Sequence, residues 1–221
     1  MAHDMEAEFE TVHQKVLELA ATHALSKGLY GDKSDVENMN RVSGLGFSLL
    51  QRSLHTSMLV LICALTDPPG SGQRENPTVI PLLEYAECKY GLDIGNDRSK
   101  LDDAIQKLRT YRDKTIAHLD KMVVLGKMKV DPLKVDDLEQ ALSAVYETMN
   151  RIKLCWSETT TAYKFTSIGC AASAITWAIA DSLRMSELRD KANRGKISPD
   201  AALGLLKERS NRNDNAIITQ H

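Results

Sequence analysis

"LDDAIQKLRTYRDKTIAHL", residues 101–119, places Leu101, Ile105, Leu108, Ile116 and Leu119 at helical spacing. At roughly 100° per residue these five directions span only about 80°, so the segment is a helix with one buried stripe. Arg112 falls inside that stripe, roughly 20° from Leu101, where packing asks for another leucine. An arginine there needs an anionic partner or a groove to face. Tyr111 and His118 share one edge of the stripe with Lys114 beside them, and Asp113 lies on the other flank. In a regular helix Arg112 and His118 point roughly 120° apart. Long side chains, a loosened last turn or a second copy of the helix would close that gap.

The same periodicity recurs on both sides. Residues 5 to 27 carry Phe9, Val12, Val16, Leu17, Leu19 and Ala20 and end at "GLYGD". From a cap at Ser34 or Asp35, Val36, Met39, Val42, Leu50, Leu54, Leu61 and Leu65 trace a long helix that stops at "TDPPGSG". Gly44 and Gly46 place a bend or a close helix approach inside it. A short helix is expected over 78–90, then a break at "GLDIGND", and Ser99 with Asp102 reads as a capping box opening the quoted helix. Another helix starts near 134 with Leu138, Leu142, Val145, Met149 and Ile152 on one face, its continuation past Trp156 towards Phe165 left open. The last helix spans about 168–193, and "PDAALGLLKER" adds a weak helical piece.

Only 3 Phe, 6 Tyr and 2 Trp are present, a composition that favours helices over strands. The reading is all-α. It is an up-and-down helical bundle with a four-helix core, an inserted short helix and a C-terminal helical extension. Residues 1–194 form the bundle domain and 195–221 a polar tail, partly helical or disordered.

A net charge of −2 names no partner, but residues 98–129 hold nine basic and four acidic side chains, a local +5. Cys63, Cys88, Cys155 and Cys170 form no C-x-x-C pair, which fits reduced thiols in a cytoplasmic protein and no zinc site. The acidic start "MAHDMEAEFE" is unlike a signal peptide. The runs "MLVLICAL" (58–65) and "IGCAASAITWAIA" (168–180) are too short to cross a bilayer and read as buried helix, so no membrane partner is expected. Glu10 and His13 have Glu-x-x-His spacing, but without a second copy a surface reading wins over a di-iron site. His55 reads as a core-edge histidine, and Trp156, Tyr163 and Phe165 as packing residues. No metal or other cofactor is expected.

A symmetric dimer packing the quoted helix on itself would bring two arginines and two histidines into one cationic cleft. RNA cleavage suits such a cleft. A histidine moves protons near neutral pH, an arginine holds a phosphate and offsets transition-state charge, and the RNA 2′-hydroxyl is the nucleophile. The alternative is an ion-paired arginine and a surface histidine with no chemistry.

"YRDKTIAHLDK" resembles the Arg-polar-…-His signature of the HEPN superfamily. "LICALTDPPGSGQRENPTVIPLLEYA" (61–86) followed by "RDKTIAHLD" (112–120) is similar to its abortive-infection U-type (AbiU-like) helical branch, over roughly residues 5–165. The resemblance implies a dimer across the motif helix and, in active members, a metal-independent endoribonuclease leaving 2′,3′-cyclic phosphate ends. It assigns Arg112 and His118 as the catalytic pair and Asp113 as the polar neighbour that orients them. Lys114, Ala117 and Asp120 match the branch pattern; Tyr111, Lys114 and Asp120 complete the set expected to support the pair or touch RNA. Expected partners are an RNA substrate, a second copy and an antitoxin protein. The rival is a non-catalytic helical dimer acting as a protein- or RNA-binding scaffold.

Overall fold

The computed structural model describes residues 2–205 apart from 71–75, 118–124, 126 and 128. Helices α1 (Ala2–Tyr30), α2 (Lys33–Thr66), α4 (Gly95–Arg112) and α5 (Val135–Leu154) form the core bundle, and α3 (Val79–Tyr90) is inserted between α2 and α4. A further helix, α6 (Thr166–Asn193), lies against α1 and α2. There is no strand among the described residues. The expected all-α bundle with an inserted helix and a C-terminal extension is the observed one.

The stripes that suggested these helices also make the core. Val16 and Leu19 of α1, Met58 and Ile62 of α2, Leu82 and Leu83 of α3, Leu101, Ile105 and Leu108 of α4, and Leu142, Met149 and Ile152 of α5 are buried together. Each such side chain contributes about 1.5–3 kcal/mol relative to leaving it in water. Arg151 of α5 donates to Asp97 at 2.5 Å, pinning the first turn of α4 to α5.

Several boundaries differ from the sequence reading. Asp32, and neither Ser34 nor Asp35, caps α2: its carboxylate accepts from the Ser34 and Asp35 N–H groups at 2.8 and 3.2 Å. The bend in α2 falls at Ser43, whose backbone leaves the helical region (φ −161°, ψ 80°), one residue before the glycines expected to make it. Helix α4 opens at Gly95 behind Ile94, so Ser99 and Asp102 lie inside it and form no capping box. Helix α5 ends at Leu154, and Trp156 and Tyr163 sit on the segment that follows. A weak last helix does form, over 199–205.

Burial corrects two further expectations. The 168–180 run is not a buried helix: Ala172 and Thr176 face the body, while Ile175 and Trp177 are 47% and 45% exposed. His13 is not a surface residue; it stacks on Phe9, and its Nδ1 lies 3.1 Å from the Tyr163 hydroxyl. Neighbouring Trp156 meets Phe9 edge-on, and Tyr163 stacks on Tyr146, so these aromatics pack as expected. No group of three metal-ligating side chains occurs among the described residues. The four cysteines are free thiols. Among the described residues α2 is the one helix long and apolar enough to cross a bilayer by length and composition, yet its second half is the centre of the core.

Helix α6 meets α1 at Gly28, where an added Cβ would come within 2.6 Å of the Ala172 Cβ. Alanine elsewhere in a helix stabilises by about 1 kcal/mol relative to glycine. Here the sign reverses, and Gly28→Ala is expected to destabilise by about 1–3 kcal/mol through overpacking, read by urea denaturation.

Burial holds the His13 imidazole below its ordinary pKa; Glu10 opposes this and Lys153 adds to it. The unfolded chain therefore binds the proton more readily, so this contribution is complete above a pH of about 6.5 and is lost as pH falls through the lowered folded value. The urea midpoint should drop between pH 7 and 5, and less steeply in His13→Phe.

Candidate functional site

Helix α2 ends where Pro68 and Pro69 follow Asp67, because proline lacks the N–H that would extend the helix. That places the Asp67 carboxylate at a helix C-terminus, the end whose dipole disfavours negative charge. Two arginines from α4 offset it. Arg109 Nε donates to Asp67 Oδ1 at 3.2 Å, and Arg112 donates through one terminal nitrogen to Oδ2 at 2.5 Å. Arg109 also donates to the Thr66 carbonyl, one of those α2 leaves without an intrahelical partner.

This is the anionic partner that an arginine in the α4 stripe required. Arg112 Nε donates in addition to Asp113 at 2.8 Å, so the expected orienting role of Asp113 has a direct contact behind it. Burial works against the Arg112 charge, and the hydrogen bonds from Asp67 and Asp113 outweigh it, raising the pKa and keeping the guanidinium cationic. Two of its five N–H donors are committed to these carboxylates, and the side chain is 21% exposed. Buried Cys63 lies close enough for Arg112 to favour its thiolate, but burial dominates and pushes its thiol up to about 11. It is not a nucleophile at neutral pH.

The helix does not stay regular beyond Arg112. Residues Asp113–Ala117 form a π-helical turn, the loosened last turn that the spacing had left open. The Thr115 hydroxyl donates to the Tyr111 carbonyl at 2.5 Å within it. Such a turn uses more residues per revolution than an α-helix, so the 120° separation of Arg112 and His118 computed for a regular helix does not apply. His118 and Asp120 lie outside the described residues. Tyr111 is half-buried against the core, Lys114 is half-buried, and Asp113 is half-exposed.

The basic excess of residues 98–129 is smaller in space than in sequence. Four of its nine cations pair with carboxylates brought from other elements or along α4: Arg98 with Glu84, Lys107 with Asp137, Arg109 with Asp67 and Asp102, and Arg112 with Asp67 and Asp113. Asp67 and Arg109 were missing from the expected site. Their signal was present as the acid-proline end of α2 and as a second arginine three residues before Arg112. The family pattern placed both segments in one chain, but nothing in one dimension said that the Asp67 carboxylate and the Arg109 guanidinium, 42 residues apart, are in contact.

A helical bundle whose arginine-histidine motif helix is tied to an Asp-Pro helix end has the features of the HEPN class. The family model of the AbiU2 proteins matches residues 4–168, and the chain belongs to this HEPN family. No curated protein and no solved structure matches it at a significant level.

Because Asp67 holds two cations while about a third exposed, Asp67→Ala is expected to cost about 1–2 kcal/mol in urea denaturation, the upper range being damped by solvent. Asp67→Asn should recover only a small part of it, because the amide keeps one acceptor oxygen and turns an N–H donor towards the other arginine.

Proposed function

We propose that the protein is a metal-independent endoribonuclease of the HEPN type acting in abortive infection or a toxin-antitoxin system. The observation that carries this reading is Arg112. Its guanidinium is held by two carboxylates, retains N–H donors beyond those two bonds and stands at the head of the turn that leads to His118. Membership of the AbiU2 family supports a HEPN-type role in abortive infection. An arginine anchored in this way positions a phosphodiester without reorganising, the property that makes a fixed charge effective against transition-state charge.

In the proposed reaction the RNA 2′-hydroxyl attacks the adjacent phosphorus. The 2′-oxygen–phosphorus bond forms, the bond to the 5′-oxygen of the next nucleotide breaks, and 2′,3′-cyclic phosphate and 5′-hydroxyl ends result. His118 moves the proton, and Arg112 offsets charge on the equatorial oxygens. Tyr111, Asp113, Lys114 and Asp120 support the pair or the strand. A homodimer across the motif helix would supply a second arginine and histidine, and an antitoxin protein would restrain the activity.

One observation favours a second reading. Arg112 already has two acidic partners within its own chain, as expected of a structural arginine in a non-catalytic scaffold dimer. In that case Arg112→Ala breaks the contact between α2 and α4, and with it any dimer packed on this face, while His118→Ala is nearly silent.

Purified protein incubated with a mixed tRNA and mRNA pool in EDTA separates the two. The nuclease reading expects cyclic-phosphate ends from the wild type and a loss of roughly 10²–10⁴-fold in His118→Ala at matched dimer content. Equal cutting by both proteins, or none under antitoxin-free conditions, sinks it.

A further inference from the structure

Beside the motif helix a cleft of about 910 Å³ opens between α1, α2, α4 and the segment entering α5. Its volume is within the ~300–1,000 Å³ of small-molecule sites. Tyr111, Thr115 and Ile116 form its wall on the motif side, so the cleft begins one residue from Arg112. Among the described residues three cations line it, Lys27, Arg52 and Lys134, against one carboxylate, Glu139. That carboxylate is already engaged, with Lys27 Nζ at 3.3 Å and His23 Nε2 at 3.8 Å. His55 joins His23 in the lining, which gives the cleft two imidazoles whose uptake of a proton from solvent an arriving anion would favour. The rest of the wall is apolar and aromatic: Tyr30, Met58, Leu133 and Leu138.

We infer that this cleft binds a nucleotide of single-stranded RNA, its phosphate among Lys27, Arg52 and Lys134 and its base against the tyrosine-lined apolar wall. The inference rests on the ribonuclease reading for the strand's identity and adds a place where the nucleotide next to the cut is held. Charge alone would admit any anion. The apolar and aromatic share of the wall selects an anion carrying a flat, weakly polar ring, since base stacking contributes about as much as a phosphate contact in single-strand sites. A duplex is excluded by width, as its bases are not free to enter a pocket. The fold leaves the cations available: Arg52 is exposed, and Lys27 bridges only at the surface.

The histidines add a pH signature. Burial lowers the pKa of His23, with Glu139 opposing and Lys27 reinforcing, and burial lowers that of His55. The groups facing them are Lys27 and Tyr30 from α1, Arg52 from α2, Tyr111 from α4, and Lys134 and Glu139 from α5 and its cap. Both rings are neutral in the free protein at neutral pH, so binding of a phosphate draws protons onto the imidazoles and affinity rises as pH falls from 8 to 6.

The test is fluorescence anisotropy of a labelled 2′-O-methyl octamer of mixed sequence, which lacks the nucleophile and cannot be cut. Combined Arg52→Glu and Lys27→Gln, with unchanged circular dichroism, should weaken binding by roughly tenfold or more. Lys89→Glu, outside the cleft, should change it by less than about twofold. A ribonucleoside 3′-monophosphate should displace the octamer where equal concentrations of inorganic phosphate or poly-glutamate do not. Wild-type affinity in the double variant overturns the inference, and so does displacement by poly-glutamate as effective as by the nucleotide, which would make the cleft an acidic-peptide site. Because the probe is uncleavable, a protein that binds it in the cleft and cuts nothing refutes the nuclease reading and leaves the cleft standing.

Discussion

The carboxylate of Asp67 is the point on which the site depends. It sits at the C-terminus of α2, where a negative charge is disfavoured, and draws Arg109 and Arg112 of α4 onto it. Each group needs the other: the arginines occupy a face that should be apolar, and the carboxylate occupies a helix end that should be basic. Removing either side leaves a partly buried charge without its partner, which costs more than the pair itself contributes. This mutual requirement fixes the end of α2 against the last turn of α4.

Around that clamp the packing has two characters. One side is a dense core built from five helices, in which Met58, Ile62, Leu108 and Met149 are fully enclosed. The other side is looser. The first half of α2 exposes Val42, Leu45 and Leu49 on both sides of its bend, and α6 exposes Ile175 and Trp177. The clamp and the cleft lie along the junction of α2 and α4, with Asp67 at the tightly packed end and His55 where α2 emerges from the core.

Much of the fold was legible because its signals are local. The stripes of Leu101, Ile105 and Leu108, or of Leu142, Val145 and Met149, demand a helix and name the face it buries. Boundaries were less legible because several competing caps stand side by side: Asp32, Ser34 and Asp35 can each accept a backbone N–H, and it is Asp32 whose backbone is extended and whose carboxylate accepts from the other two. Burial of α6 was misread because its alanine-rich run has no polar face to mark the exposed side. His13 was misread because its aromatic partner Tyr163 is 150 positions away.

The site divides along the same line. The sequence by itself determined that Arg112 needed an anion or a groove and that His118 followed on the same segment, since both follow from residue type and spacing, while the likeness of residues 61–86 and 112–120 to the HEPN pattern supplied the family. Only the tertiary structure decided which anion it was, that Arg109 shares it, and that four of the nine cations of the basic segment meet Glu84, Asp137 and Asp67 from other elements. It also replaced a regular last turn by a π-helical one and opened a cleft lined by His23 and His55. Periodicity fixes which face of a helix turns inward; the groups that meet that face come from chain segments dozens of residues away, and their meeting is set by three-dimensional packing alone.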